Sequence, residues 1–310
     1  MRQAAGVLFS AHQALGCGSR TALPVGSGTE EIASVAGTPG GVNPSIGCSS
    51  SVSSVPIFLI DVNRTLLRFN PPTATFSVVG TVDCTVDAGP PGTLSLPPSP
   101  PTALAVDRSG LGYLLFNNDV AGSVYEVNTN TAVCAPSDAV VRLPNKVIVN
   151  GMAFVAAAGA SVETLFAFVD TGMVSLVLAS LNPRTFAPTF VRTPLMRGSI
   201  PVNGVTQVMG DGAGELFQSG GGVAAQNTTI FRVDTTSAMN MIDWTINRGP
   251  RAPISAVALW GGDFYLFGAG ESSSETAVVR FCPRDNSITQ VAHWPSQLLL
   301  AAVQTTAPTQ

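Results

Sequence analysis

Pro101–Cys134 reads PTALAVDRSGLGYLLFNNDVAGSVYEVNTNTAVC. A short apolar run, Ala103–Val106, meets a tight polar turn at Asp107–Gly110 and then a second apolar run from Tyr113 to Phe116. A polar turn over Asn117–Gly122 leads into an alternating run, Val124–Asn128, and another turn leads to a short fourth run ending near Cys134. Short runs of this kind, broken by Gly, Asn and Asp, read as strands joined by hairpins. The stretch therefore specifies one four-stranded antiparallel sheet.

The unit recurs along the chain. Its third strand and following turn appear as LLRFNPPTAT from Leu66, VYEVNTNTAV from Val124, LASLNPRTFA from Leu178, IFRVDTTSAM from Ile230 and VVRFCPRDNS from Val278. Asn70, Asn128, Asn182 and Asp234 open the turn in four copies. A short polar side chain there accepts from the backbone two residues on and shapes the turn. Cys282 holds the place in the fifth copy. The copies start roughly 50 residues apart, the spacing of four-stranded propeller blades. The first copy lacks a leading apolar strand, and the chain ends with a spare one, Leu298–Val303. Joining the two closes a ring and leaves no open sheet array. The sequence thus predicts an all-β fold, a five-bladed β-propeller closed by the C-terminal strand. A six-bladed ring that uses residues 25–50 is the alternative. No segment sustains a helical period.

Outside the ring the chain reads as residues 1–24, a lipoprotein signal and anchor region, and 25–55, a Gly/Ser/Pro-rich linker. The propeller spans 56–306, and 307–310 read as a disordered tail. MRQAAGVLFSAHQALGCGSR has an early arginine, an apolar segment and then Leu15-Gly16-Cys17. It resembles a bacterial lipoprotein signal in which Cys17 is acylated. The expected localisation is export, as a cell-envelope lipoprotein or an extracellular protein, with membrane contact only through that anchor.

Composition narrows the function classes. Charged residues make up 11% of the 310 residues, against about 25% in an average chain. Net charge is −4, Lys146 is the only lysine, and no basic cluster occurs, which argues against nucleic acid as a partner. No apolar run approaches the ~18 residues of a membrane span. Of five cysteines none form Cys-x-x-Cys, and the two histidines are His12 and His293, so no zinc site is expected. Cys84 and Cys134 each close a repeat just after its last strand, and in an oxidising compartment they are disulfide candidates. The alternative is two free thiols.

Propeller function concentrates on the loops between blades and those joining second and third strands. Asp61 and Asp170 stand at the exits of second strands, and Asn117, Asn118 and Asp119 form the corresponding loop of the second blade. These five are the binding-face candidates, suited to a sugar hydroxyl or a cation. Calcium is the one ion such loops suggest; no other cofactor, no metal site and no catalytic residue is assigned. Asp107, Asp211 and Asp263 fall in the first hairpins and read as turn formers. His293 alone gives no Ser-His-Asp set, and neither a Gly-x-Ser-x-Gly elbow nor a Gly-Lys-Ser/Thr loop occurs. The reading is a non-catalytic, exported cell-surface module that binds or scaffolds a glycan or a protein. The alternatives are a propeller hydrolase of glycosidase or lactonase type using Asp61, Asp119 and Asp170, and a structural component of a surface assembly.

Several segments carry a resemblance. Cys17-Gly18-Ser19-Arg20-Thr21, the LLRFNP, VGTVDC, PTALAVDRSG and TLFAF segments and, above all, WGGDFYLF followed by VVRFCPRD resemble a group of secreted, propeller-like lipoproteins of myxobacteria. The resemblance spans roughly residues 55–305 and implies export and fold, without an activity. The chain departs from the group at Thr305-Thr306, where such proteins tend to end in Cys, and at Cys282, where an acidic turn residue is usual.

Overall fold

The structure, a computed structural model, describes residues 53–84, 100–117, 122–136, 148–170, 176–191, 207–220, 227–247, 254–269 and 274–309. Residues 1–52, with Cys17, the expected signal and all but the last three residues of the expected linker, lie outside this set, and so do Asn118 and Asp119. The strands described form five four-stranded antiparallel sheets.

Blade 1 contains β1 (Ile57–Asp61), β2 (Thr65–Asn70) and β3 (Thr75–Thr81). Blade 2 runs β4 (Ala103–Val106), β5 (Leu111–Asn117), β6 (Gly122–Asn128) and β7 (Cys134–Pro136). Blade 3 runs β8 (Ile148–Ala156), β9 (Glu163–Asp170), β10 (Leu176–Leu181) and β11 (Pro188–Phe190). Blade 4 runs β12 (Gln207–Gly210), β13 (Leu216–Gly220), β14 (Asn227–Val233) and β15 (Asn240–Asn247). Blade 5 runs β16 (Ile254–Trp260), β17 (Asp263–Ala269), β18 (Thr276–Cys282) and β19 (Ser287–Trp294). The last strand, β20 (Leu298–Val303), returns to blade 1 as its inner strand, in the order β20-β1-β2-β3. It pairs antiparallel with β1 in the register Ile57↔Val303, Phe58↔Ala302, Leu59↔Ala301 and Ile60↔Leu300. The five-bladed ring closed by the C-terminal strand is thus the fold, and no sixth blade is needed to close it.

The apolar runs follow from this geometry. Successive side chains of a strand point to opposite faces, and each blade is covered on both faces by its neighbours. Ile57 and Leu59 face blade 5, in a cluster with Ala258, Trp260 and Phe267. Phe58 and Ile60 face blade 2, in a cluster with Leu104, Leu114 and Phe116. β1 is therefore buried along its whole length and reads as a continuous apolar run instead of an alternating one. Equivalent clusters join blades 2 and 3, 3 and 4, and 4 and 5. Every interface of the ring is filled.

The outer hairpins share one backbone device. Ala74, Ala132, Phe186, Ala238 and Asn286 all have positive φ, between 52° and 60°. Each stands four residues after the residue that opens its turn. The openers do what their chemistry suggests. Asn128 Oδ1 accepts from Asn130 N at 2.8 Å, Asn182 Oδ1 from Arg184 N at 2.9 Å, and Asp234 Oδ1 from Thr236 N at 2.8 Å. The strained φ places a side chain in the core: Ala132, Phe186 and Ala238 are each buried. In blade 5, Asp285 accepts from Ser287 N at 2.9 Å, the place that Thr131, Thr185 and Ser237 hold in blades 2, 3 and 4.

Cys84, just beyond β3, is disulfide-bonded to Cys134 at the start of β7, with Cα atoms 5.2 Å apart. The bond ties the outer edge of blade 1 to that of blade 2. Cys282 is disulfide-bonded as well.

The chain beyond β20 is held. Gln304 Nε2 donates to Asp107 O and Arg108 O in blade 2, at 3.3 and 3.4 Å. The Thr305 hydroxyl donates to Glu163 Oε1 in blade 3. The Pro308 carbonyl accepts from Gly261 N in blade 5 at 2.7 Å. Ala307, where a disordered tail was expected to begin, packs against the cluster between blades 5 and 1.

Candidate functional site

The face expected to bind is the end where second strands run into third strands. Asp61, Asn117 and Asp170 each close a second strand there, in blades 1, 2 and 3. Asp61 is buried, and its Oδ1 accepts from Asn63 N at 2.9 Å and Thr65 N at 2.8 Å. It shapes the β1–β2 turn. Asn118, Asp119 and most of the loops of that face lie outside the described residues.

Asp107 and Asp211 use the same device at the opposite end. Asp107 Oδ1 accepts from Ser109 N and Leu111 N, and Asp211 Oδ1 from Ala213 N and Glu215 N. Burial pushes the Asp211 carboxyl above its usual range, against the lowering effect of the Glu215, Ala213 and Gly214 amides. Asp263 is buried and lies 3.9 Å from Arg280 Nε. His293 is exposed on the outermost strand of blade 5. Among the described residues no three His, Cys, Asp or Glu side chains cluster as metal donors.

The centre of the ring is filled. The inner strands of all five blades contribute Leu104, Val106, Phe154, Val208, Met209, Leu259 and Val303 among others, and the space they leave is about 10 Å³. A water needs roughly that much room, so among the described residues the space between the inner strands holds no more than a water.

A larger space, about 400 Å³, opens at the end opposite to the one expected. It lies between blades 1 and 2. Phe58 and Arg68, Asn70, Thr75 and Ser77 line it from blade 1. The Ser109–Gly110 and Thr129–Asn130 turns line it from blade 2, with Ser54 and Pro56 from the lead-in to β1 and Gln304 from beyond β20. The walls are mostly hydroxyls and amides. Among the described residues no lining side chain carries a carboxylate, imidazole, thiol or amine.

Among the described residues of the lining, Arg68 supplies the one formal charge. Its Nη2 donates to Thr129 O at 2.9 Å and Asn130 Oδ1 at 2.5 Å. Its guanidinium carbon sits 5.9 Å from the centre of the Phe58 ring, a cation–π contact. The buried Nε has no acceptor. Among the described residues no carboxylate lies within ion-pair distance of it.

The repeat shows how unusual that is. Arg68, Arg232 and Arg280 occupy the same place on the third strands of blades 1, 4 and 5, opposite Phe58, Phe217 and Tyr265 respectively. In blade 4, Arg232 Nε lies 3.6 Å from Glu215, and in blade 5 Arg280 Nε lies 3.9 Å from Asp263. Each carboxylate precedes the paired aromatic by two residues. The same place in blade 1 is Pro56. Sequence reasoning weighed carboxylates one at a time and missed this site. The signal was the arginine shared by LLRF, IFRV and VVRF, with an acidic residue at the matching place in two copies and proline in the third.

No family model matches the chain, and no curated protein does. Solved structures to which the chain is similar include a nidogen/laminin complex, at 10% identity and a TM-score of 0.49, covering 83% of this chain and all of that one. A calcium-binding protein, regucalcin, from Agrobacterium tumefaciens is similar at 12% identity and a TM-score of 0.39, over 80% of this chain and 74% of that one. An exo-β-1,3-galactanase from Phanerochaete chrysosporium is similar at 12% identity and a TM-score of 0.42, over 60% of this chain and 48% of that one. All three scores fall below 0.5, and the five-bladed assignment stands on the strand pairing of the chain itself.

Proposed function

We propose that the protein is an exported, non-catalytic binding propeller that takes a glycan in the cleft between blades 1 and 2. The observation that carries this reading is the chemistry of the cleft. Its walls offer hydroxyl and amide groups that donate and accept hydrogen bonds, as sugar hydroxyls require. Among the described residues they carry no carboxylate or imidazole to act as general acid or base, or to activate a hydroxyl, near neutral pH. At about 400 Å³ the space falls within the range of small-ligand pockets.

Export is supported by the Cys84–Cys134 disulfide, since such bonds persist in oxidising compartments. Attachment through an acylated Cys17 completes the proposal and gives the propeller its place at the cell envelope.

A glycan array probed with the full chain, followed by thermal-shift assays on each hit, tests the reading. The expected result is a set of sugar ligands that raise the melting temperature and are released intact. Silence on the array, or cleavage of a bound sugar, would refute it.

A further inference from the structure

The repeat carries the functional reading one step further. In blades 4 and 5 an arginine on the third strand meets a carboxylate from the residue two before its paired aromatic. Blade 1 keeps the arginine and the aromatic, and puts Pro56 where the carboxylate stands. Pro56 and Arg68 both line the cleft. A half-buried guanidinium whose acceptors are all neutral is a ready partner for an anion, and a carboxylate suits its planar fork best.

We propose that the cleft is specific for acidic saccharides, and that Arg68 pairs with the carboxylate of a uronic acid residue in the role that Glu215 and Asp263 play within the protein. This rests on the glycan-binding reading above and adds the charge class of the ligand. The walls favour a sugar over an acidic peptide. Peptide recognition relies on an exposed strand edge or apolar side-chain pockets, whereas Ser77, Ser109 and Asn130 present hydroxyls and an amide, and the Phe58 ring is buried beneath Arg68. The uronate carboxylate meets Arg68, and the ring hydroxyls meet the Ser109–Gly110 and Thr129–Asn130 turns.

The test is calorimetric titration of the full chain with a glucuronate-terminated disaccharide and with its neutral glucose-terminated counterpart, at low and high salt. The proposal expects the acidic sugar to bind about tenfold or more tightly, the strength of a charge-assisted hydrogen-bonded pair, with the preference shrinking as salt rises. Arg68→Gln is expected to equalise the two sugars. Pro56→Glu, which supplies the missing carboxylate in cis, is expected to do the same with Arg68 intact and with the melting temperature held or raised. That second variant keeps the test sound if Arg68→Gln fails to fold. Equal affinity of the wild-type chain for both sugars overturns the charge class and leaves the glycan reading standing. Binding of neither sugar, when the array shows other glycan hits, likewise overturns only this inference; no glycan binding at all overturns both. Preferential binding of a glutamate-rich peptide over both sugars would also overturn it.

Discussion

The backbone of Gly212, in the β12–β13 turn, lies against the carbonyl oxygen of Thr305, and a β-carbon at Gly212 would overlap that oxygen. A blade-4 turn and the chain beyond the closing strand therefore share space that only glycine allows. Gly212→Ala must displace one of the two, at a cost of about 1–3 kcal/mol. Urea denaturation should show that loss in the full chain. In a chain truncated after Val303 the same substitution should cost little, because the overlapping oxygen is gone. Non-additivity of this kind is the mark of direct contact.

The disulfide gives a second prediction. Cys84 and Cys134 are 50 residues apart in sequence. Replacing both with serine should lower stability by about 2–4 kcal/mol, and reductant should destabilise the wild type in the same direction. Non-reducing peptide mapping should recover Cys84 and Cys134 in one linked pair.

Asp61 separates turn chemistry from ligand chemistry. Asp61→Ala leaves two backbone N–H groups of the β1–β2 turn without their acceptor and should cost about 1–3 kcal/mol. Asp61→Asn keeps an oxygen in place and should recover most of that. Sugar affinity, measured on the folded fraction, should be unchanged in both.

These residues also show what the sequence could and could not reveal. The ring was legible because blade formation is local: apolar runs and turn residues recur at one spacing, and each copy can be read alone. Closure by Leu298–Val303 was legible because one copy lacked a strand and the chain end supplied it. The cleft was hidden for the opposite reason. Its walls come from Ser54 to Gln304, through turns of two blades, and no local window contains them. An aspartate that opens a turn, as Asp61 does, and one that meets a ligand look alike in a sequence until the hydrogen bonds are known.

Tyr113 predicts alkaline behaviour. Burial first, then the carboxylates of Asp107, Glu126 and Glu163, push its phenol from 10.0 up to about 12. Between those values the unfolded chain loses the proton while the folded chain keeps it, so the folded state binds more protons and stability falls as pH rises. Denaturation midpoints should be insensitive to this group below pH 10 and decline from pH 10 to 12. Tyr113→Phe should flatten part of that decline.

The ring itself faces its most direct test in hydrogen exchange of the full chain, read by peptide over residues 298–303. Paired as the inner strand of blade 1, these amides should exchange as slowly as those of β4 and β5 and open only with the global unfolding of the propeller. Exchange as fast as that of an exposed chain end, with blades 2 to 5 still protected, would contradict a propeller closed by its own C-terminus.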